Sequence, residues 1–418
     1  MAKNDQTVDV EYDVVIVGGG MVGNMLAAAL LSTTELRVAV LEQQPSNAFV
    51  PGSNPDYDLR VSAVSIATQR MLENVGAWQK VISRRACPYR EMLVWDGEKG
   101  GQTLFNSDEV GASALGHIVE NRVLQLALLD QINISAMVDH FCPVRLLSMH
   151  TLTDRVVCVV DASEQGGSAS MKLSAKLLVA ADGANSKVRE LAGISYQRDA
   201  YPQHALVATV ETALPQQQIT WQRFMPTGPQ AFLPLCGSRA SLVWYHDEEE
   251  ISRLAALNNN ELQHAIQSAF PERLGDIRRL LDHGSFPISK AQANRYIDRR
   301  VVLIGDAAHS VHPLAGQGLN LGMMDAAALA QILGDAMLRH KDIGSDPVLR
   351  RYERWRKGEN AVMIAILDGF YHAFKPQPVP IQKIRSGALA MANRTGFLKR
   401  YVMRYAMGTG PHLPPLAR

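Results

Sequence analysis

Closely spaced cysteines are missing. The 418 residues hold four, Cys87, Cys142, Cys158 and Cys236, and no Cys-x-x-Cys. A thiolate zinc site and a redox-disulfide flavoenzyme both use sulfurs at short spacing, so neither is expected and no metal site is predicted. Dispersed thiols read instead as reduced and buried, in a cytosolic protein. An excess of charge is missing too. The 42 basic residues stand against 41 acidic ones, a net charge of +1 that does not suit a general nucleic-acid binder. Apolar runs such as 361–367 are far too short to cross a bilayer. The opening MAKNDQTVDVEYD carries acids and no apolar core, so no signal peptide is expected. No internal repeat and no low-complexity segment is found.

What is present is glycine where strands end. Tyr12 to Val17 is a short apolar run that reads as a buried strand. Gly18, Gly20 and Gly23 follow, and Met25 to Leu31 continues as a helix. Arg37 to Leu41 forms a second strand ending at Glu42. In such a βαβ start the first glycine permits the tight turn, the second lets a pyrophosphate approach the backbone, and the third lets helix and strand pack closely. Glu42 can accept hydrogen bonds from a ribose with a free 2′-hydroxyl, which suits FAD or NAD. Gln43 to Asp58 is a loop rich in turn residues. Beyond it, Arg60 either reaches the pyrophosphate or is merely solvated, and Arg122, near the start of a helix predicted over 117–129, stands between the same two readings.

Leu177 to Ala181 is again a buried strand, ending in Asp182-Gly183. Asp182 at a carboxyl end lies where ligands bind in open parallel sheets, although a turn aspartate followed by the N-cap Ser186 fits equally. Ser186 and Arg189 can tie this corner together. From His204 to Tyr245 the pattern alternates and is aromatic, with Trp221, Phe224, Phe232, Trp244 and Tyr245, and predicts an inserted antiparallel sheet whose aromatics either fill the core or cover an apolar ring. Leu254 to Leu281 is expected to be helical.

The stretch Val301 to Ala328 carries the most chemistry. A buried strand, Val301 to Ile304, turns at Gly305-Asp306, crosses a loop holding Pro313, Gly316, Gln317 and Gly318, and enters a helix. A carboxylate followed by glycine-rich backbone at a helix N-terminus suits a ligand with a polyol chain and an electron-rich ring. The ribityl chain and isoalloxazine of FAD have both parts. His309 and His312 either contact the flavin, with a proton to relay, or are held by backbone partners. Beyond Asp368 there is no acid, and eight basic residues interleave with apolar ones. Such a tail suits an anionic membrane or an acidic partner, or is a helical cap.

Gly-x-Gly-x-x-Gly with Glu42, then Asp182-Gly183, then Gly305-Asp306 with its Gly-Gln-Gly loop resemble, in this order, the single-component FAD aromatic hydroxylases of the para-hydroxybenzoate hydroxylase-like fold. YDLRVSAVS, LGHIVENRVLQLAL, WQRFMPTGPQAFLPL, HPLAGQGLNLG and GFLKRYVMRYAMG are similar to the ubiquinone-biosynthesis ring hydroxylases. Gln317 stands where benzoate hydroxylases carry lysine, which argues against a small carboxylate substrate. The resemblance implies an α/β fold: a Rossmann-like FAD-binding domain (1–84, 119–197, 291–345), an inserted antiparallel-sheet substrate domain (85–118, 198–290) and a C-terminal basic helical region (346–418). It implies a monooxygenase using FAD, NAD(P)H and O2. Asp182 would serve both FAD and the nicotinamide, Asp306 would bind ribityl, and 313–318 would line the ring, with His312, Pro313 and Gln317 as catalytic candidates and Gly183 and Gly305 as further cofactor contacts. The resemblance further implies that hydride would reduce the flavin, a C4a-hydroperoxide would form, and a polyprenyl phenol or quinol would attack its distal oxygen. The middle and tail segments are most similar to members acting on 3-demethoxyubiquinol. A 2-polyprenylphenol hydroxylase and a non-oxygenating FAD reductase are the alternatives. A halogenase would carry W-x-W-x-I-P, which is absent. A homo-oligomer is expected, cytoplasmic or peripheral at the inner membrane, alone or within a biosynthetic complex.

Overall fold

Val14, Val15 and Ile16 are fully buried in the strand Asp9–Val17. Branched apolar side chains in an unbroken run fit a strand covered on both faces, which is where parallel strands lie. In the computed structural model, which describes residues 9–46, 57–97, 100–163, 170–313, 316–375, 385–387, 389, 391, 396–410 and 412–418, this strand pairs in parallel with Val38–Leu41 and with Ser170–Ala180. Val38–Leu41 pairs in parallel with Val138–Phe141, and Ser170–Ala180 with Val301–Leu303. The hairpin of Arg145–Thr151 and Val156–Asp161 folds back antiparallel onto the first half of Ser170–Ala180.

Register then brings the three motifs together. Val17 lies opposite both Leu41 and Ala180, and Ala180 lies opposite Leu303. Gly18, Glu42, Asp182 and Gly305 therefore leave neighbouring parallel strands at the same edge, the edge at which such sheets bind ligands.

The helix Met21–Thr33 packs between Asn121–Ile132 and Gln317–Leu338. A Cβ on Gly322 would stand 2.7 Å from Val22 Cγ2 and 3.3 Å from Gly305 Cα, so glycine lets this helix reach the turn. Gln317–Leu338 is long and apolar enough to cross a bilayer, yet its residues are mostly buried inside the protein, as in a core helix.

The second sheet runs His309–Ser310, Ile277–Ala293, Tyr196–Thr212, Arg239–Asp247, Gly228–Pro234, Ile219–Met225, Glu91–Asp96 and Gln102–Asn106. It is antiparallel except where Ile219–Met225 runs parallel to Glu91–Asp96. Trp221, Phe232 and Trp244 fill its core beneath the helices Glu248–Ala255 and Asn259–Ala269. Phe224 and Tyr245 belong to other clusters, nearer the cofactor motifs. The edge strand is His309–Ser310 itself, so the second sheet hydrogen-bonds directly onto the segment after Asp306. A third sheet joins Val61–Ser65, Gly116–Glu120 and Cys87–Tyr89.

Two expectations are corrected. Residues 277–281 open the long strand Ile277–Ala293 rather than ending a helix; Gly284 and Pro287 break the alternation that would have marked it. Residues 117–120 are strand, and the helix begins at Asn121, because the β-branched Ile118 and Val119 pair with Ala63 and Ser62 respectively. The tail's described part is a cap. Arg385 grips Asp96 at 2.9 and 2.6 Å, Lys399 pairs with Glu109 at 2.6 Å, and Met403 and Met407 are buried against Leu115. Lys383 and Arg394 lie outside the described residues.

The cofactor side is fastened at Asp325, which is fully buried in Gln317–Leu338. One of its oxygens lies 2.5 Å from His309 Nε2 and accepts the Gly305 N–H at 3.1 Å. The other accepts Arg356 Nε at 2.8 Å and Asn360 Nδ2 at 3.1 Å, both from the helix Asp346–Phe374. Burial opposes the charge, but His309 and Arg356 outweigh it and hold the carboxyl well below its usual range. Removing one partner of a buried ion pair strands the other. Asp325→Ala is expected to lower unfolding free energy by about 3 kcal/mol or more, read from urea denaturation; an unchanged midpoint would contradict the fastening role.

Candidate active site

The glycine turn is shaped by close approach. Gly18 sits at φ +107°, where a Cβ would lie 2.3 Å from the Ala181 carbonyl oxygen, and a Cβ on Gly23 would lie 1.9 Å from that of Gly18. Gly20 differs: a Cβ there would meet no heavy atom within 4 Å. The helix Met21–Thr33 starts at Gly20 with no side-chain cap and no acid in its first turn. Its leading N–H groups thus face open space beside Gly20, which fits a pyrophosphate. Gly19 N–H donates to one oxygen of Glu42 and Gln44 N–H to the other, both at 2.7 Å, so the carboxylate is fixed at the strand's end. Asn24 and Gln125 hold the Gly19 carbonyl at 2.8 and 3.0 Å.

At the second corner, Val188 N–H donates to Asp182 Oδ2 at 3.1 Å, whereas Oδ1 is buried with no partner among the described residues. Burial raises this carboxyl above its usual range, against the Val188 N–H and the nearby Ser186. Gly183 turns the chain at φ +78°. Arg189 N–H donates to Ser186 Oγ at 2.9 Å, as the one-turn spacing suggested. Its guanidinium goes further, donating to the carbonyls of Ala184 (2.8 Å) and Ala307 (2.9 Å) and stacking 3.7 Å over Tyr196. That arginine ties the Asp182 corner to the Gly305 turn.

Gly305 takes φ +58° and delivers Asp306 to the cleft. Asp306 is open to solvent on one side and crowded by protein on the others. That crowding pushes its carboxyl up, against the pull of His309 and Arg60. Exposed Arg60 is therefore close enough to act on Asp306, and both can face one ligand. Arg122 is drawn aside to Asp58, 3.1 Å from its Nε, and to Glu120 at 3.8 Å.

After Asp306 the chain passes His312 and Pro313; the 314–315 part of the expected ring-lining loop lies outside the described residues. Gly316 N–H donates to the Pro313 carbonyl at 3.1 Å, and Gly316, at φ +60°, starts the helix of Gln317 and Gly318. This N-terminus also has no side-chain cap and no acid in its first turn. Asn320 staples it to Val61–Ser65, accepting from Ser65 N–H (3.0 Å) and Thr68 Oγ1 (2.8 Å) and donating to Ala63 (2.9 Å). His312 is 1% exposed in a cage of Tyr201, Tyr371 and Tyr245, with ring centroids 4.7, 5.3 and 5.8 Å away. Burial lowers its pKa to about 4, against the pull of Asp368, so the imidazole is neutral near pH 7.

Sequence reasoning missed Asn320, Asp325, Arg356 and Asn360. A signal existed for one of them: Asp325 is a lone acid in an apolar helix, and such a residue needs a buried partner. An open cavity of about 600 Å³ lies elsewhere, lined by residues including Arg354, Trp355 and His412 and sharing none with the motifs. It is no part of the site, because the cofactor chemistry sits at the strand ends.

Two uncapped helix N-termini for anions, three carboxylates for hydroxyls and one orphaned buried oxygen fit FAD. Comparison with known proteins agrees. Residues 11–363 match the family described as FAD binding domain. The fold resembles that of the p-nitrophenol 4-monooxygenase from Pseudomonas putida, with a TM-score of 0.78 and 18% identity, covering 97% of this chain and 100% of that one. Fold, site and family match thus define an FAD-binding protein. The chain is 38% identical to the 3-demethoxyubiquinol 3-hydroxylase of Escherichia coli over 95% of its own length and 98% of the relative's. It is 35% identical to the ubiquinone hydroxylase UbiL of Rhodospirillum rubrum over 97% of its own length and 92% of that protein's. It belongs to the ubiquinone-biosynthesis hydroxylases of the FAD-binding family.

Asp306→Ala removes the carboxylate at the cleft floor without entering the buried network. The variant is expected to purify folded but with most of its yellow cofactor lost, read as flavin absorbance per chain; full flavin content would refute the assignment.

Proposed function

We propose that the chain hydroxylates the aromatic ring of a polyprenyl quinol, with 3-demethoxyubiquinol (a 2-polyprenyl-3-methyl-6-methoxy-1,4-benzoquinol) as substrate. The observation that carries this reading is the likeness to the Escherichia coli 3-demethoxyubiquinol 3-hydroxylase along nearly the whole chain. The surroundings of the loop support it. Phe224, Val311, Leu321, Leu367, Tyr371 and Phe374 form one apolar cluster joining the second sheet, the loop, and both long helices. Phe224 and Phe374 stack at 3.8 Å. Apolar and aromatic side chains of this kind suit a greasy ring, with cations at the rim: Lys375 Nζ lies 4.5 Å from the Tyr371 ring centroid and Arg385 4.9 Å from that of Phe374.

Bound FAD, reduced by NAD(P)H, would supply the activation of O2. The chain's own residues position and shield. In this reading Glu42 accepts the adenosine ribose hydroxyls, the amides after Gly20 take the pyrophosphate, and Asp306 accepts the ribityl hydroxyls. Pro313, Gln317 and the amides of the second helix start would hold the ring edge. Caged, neutral His312 holds the loop and excludes water from it.

The same reading includes an anionic lipid surface, since the substrate's tail is membrane-soluble. Val362, Ile366 and Phe370 are exposed at one-turn spacing on Asp346–Phe374. Arg400, Tyr401, Val402 and Arg404 are exposed on Gly396–Ala406, whose Tyr405 feels the charge of Glu359 on the first helix. Apolar anchors beside arginines suit an interfacial position.

Assayed with NAD(P)H and O2, the enzyme is expected to give hydroxylated product from a short-chain 3-demethoxyubiquinol in clear preference to a 2-polyprenylphenol. Preference for the phenol would move the substrate, and NAD(P)H oxidation with no oxygenated product would favour a reductase. In vesicle co-sedimentation with phosphatidylglycerol, Ile366→Glu with Phe370→Glu is expected to lower binding about tenfold or more; unchanged sedimentation of the folded variant would sink the lipid part.

A further inference from the structure

The dispersed cysteines regroup in the fold. Cys87 opens the strand Cys87–Tyr89 of the small third sheet, and Cys236 lies in the turn between Gly228–Pro234 and Arg239–Asp247 of the second. Both pack in one apolar cluster with Tyr57, Ile118 and Leu235, near enough for each sulfur to act on the other's ionisation. Cys236 Sγ also lies 3.5 Å from the carbonyl oxygen of Ala86, the residue before Cys87, and Gln216 Nε2 donates to Cys87 Sγ at 3.1 Å. The two sulfurs are thus held by contacts with both chain segments.

Their surroundings are unequal. Cys87 is 1% exposed, whereas Cys236 is half-buried. The Cys236 N–H donates to the Tyr57 hydroxyl at 2.8 Å, and the Arg85 guanidinium stacks 3.7 Å over the Tyr57 ring. Cys87 beside it pulls the Cys236 thiol below its ordinary range; Tyr57 and Arg85 help, and burial opposes. Cys236 and burial push Cys87 up, against the hydrogen bond that Gln216 gives it. Burial pushes Cys158 up to about 12 and raises Cys142 as well. The half-buried sulfur is therefore the one placed to meet an oxidant first and the buried one to resolve it, the division found between attacking and resolving thiols.

We propose that Cys87 and Cys236 form a peroxide-reactive dithiol that closes into a disulfide between the third sheet and the second. The oxidant is hydrogen peroxide, which a reduced flavin releases when O2 is consumed without substrate oxygenation. The Cys236 thiolate attacks one peroxide oxygen; the S–O bond forms, the O–O bond breaks, and hydroxide leaves to become water. The product is a sulfenic acid. Cys87 sulfur then attacks the Cys236 sulfur, the S–S bond forms, the S–O bond breaks, and a second water leaves with the Cys87 proton. Two thiols and one peroxide become one disulfide and two waters. The cross-link would join Cys87, on the strand leading into Glu91–Asp96, to the substrate sheet, so uncoupled turnover would restrain the two sheets against each other.

The test is peptide mapping of the wild-type holoenzyme after hydrogen peroxide and alkylation, and it does not depend on which quinol is the substrate. Two of the four thiols are expected to be lost: the Cys87 and Cys236 peptides are recovered linked and revert with dithiothreitol, while Cys142 and Cys158 alkylate normally. In Cys87→Ser, dimedone is expected to label Cys236; in Cys236→Ser, Cys87 is expected to stay alkylatable. Recovery of both wild-type peptides unlinked, at peroxide levels that oxidise surface methionine, would overturn the proposal, as would Cys87 reacting as readily without Cys236. The wild-type map decides even if a variant does not fold.

Discussion

A single buried carboxylate organises the cofactor side of this protein. Asp325 lies in an alanine-rich helix with no solvent to stabilise it, and burying an ion there is costly unless it is fully hydrogen-bonded. Its partners come from three places: the Gly305 turn, the strand of His309, and the helix carrying Arg356 and Asn360. Meeting that requirement fixes all three at once. The turn presents Asp306, the strand ends the second sheet beside it, and the long helix brings Tyr371 and Phe374 to the loop. A hydrophobic residue at 325 would pack the helices but would leave the Gly305 amide without this partner.

Around that anchor, register does the rest. Adjacent parallel strands end level, so their turns form one continuous edge. Amides at two uncapped helix starts favour negative charge, whereas Glu42, Asp182 and Asp306 favour hydroxyl donors. A dinucleotide flavin alternates between those demands along its length. In the proposed placement the ring end would meet the second sheet, where aromatic and leucine side chains predominate. A polar binding edge joined to an apolar reaction wall is what a hydroxylase of lipid quinols requires.

The motifs were legible because their chemistry is local. Gly18, Gly23 and Gly305 are required by close approach or positive φ within a few residues, and Glu42, Asp182 and Asp306 follow directly on buried strands. The fastening was not legible, because Arg356 and Asn360 reach Asp325 from a separate helix. The long strand Ile277–Ala293 was obscured by its own glycine and proline, and His117 to Glu120 by continuity with the helix that follows. The cysteines show the limit most plainly. Spacing along the chain suggested isolated thiols, and only the packing of the third sheet against the second brings Cys87 to Cys236. For the tail, composition allowed a cap or a lipid-facing segment. Arg385 and Lys399 are taken up by acids of the fold, while an apolar face on the preceding helix is left outward.

The most direct test of the central claim is the equilibrium affinity of the apoprotein for FAD in Asp325→Asn, measured by quenching of flavin fluorescence under conditions where circular dichroism shows the variant folded. Asparagine keeps the size of the side chain but loses the charge that holds His309 and Arg356. If the buried carboxylate shapes the turn that presents Asp306, FAD binding weakens by about tenfold or more, since disturbing a buried charged hydrogen-bond network costs at least that much. Wild-type affinity in the folded variant would contradict the account.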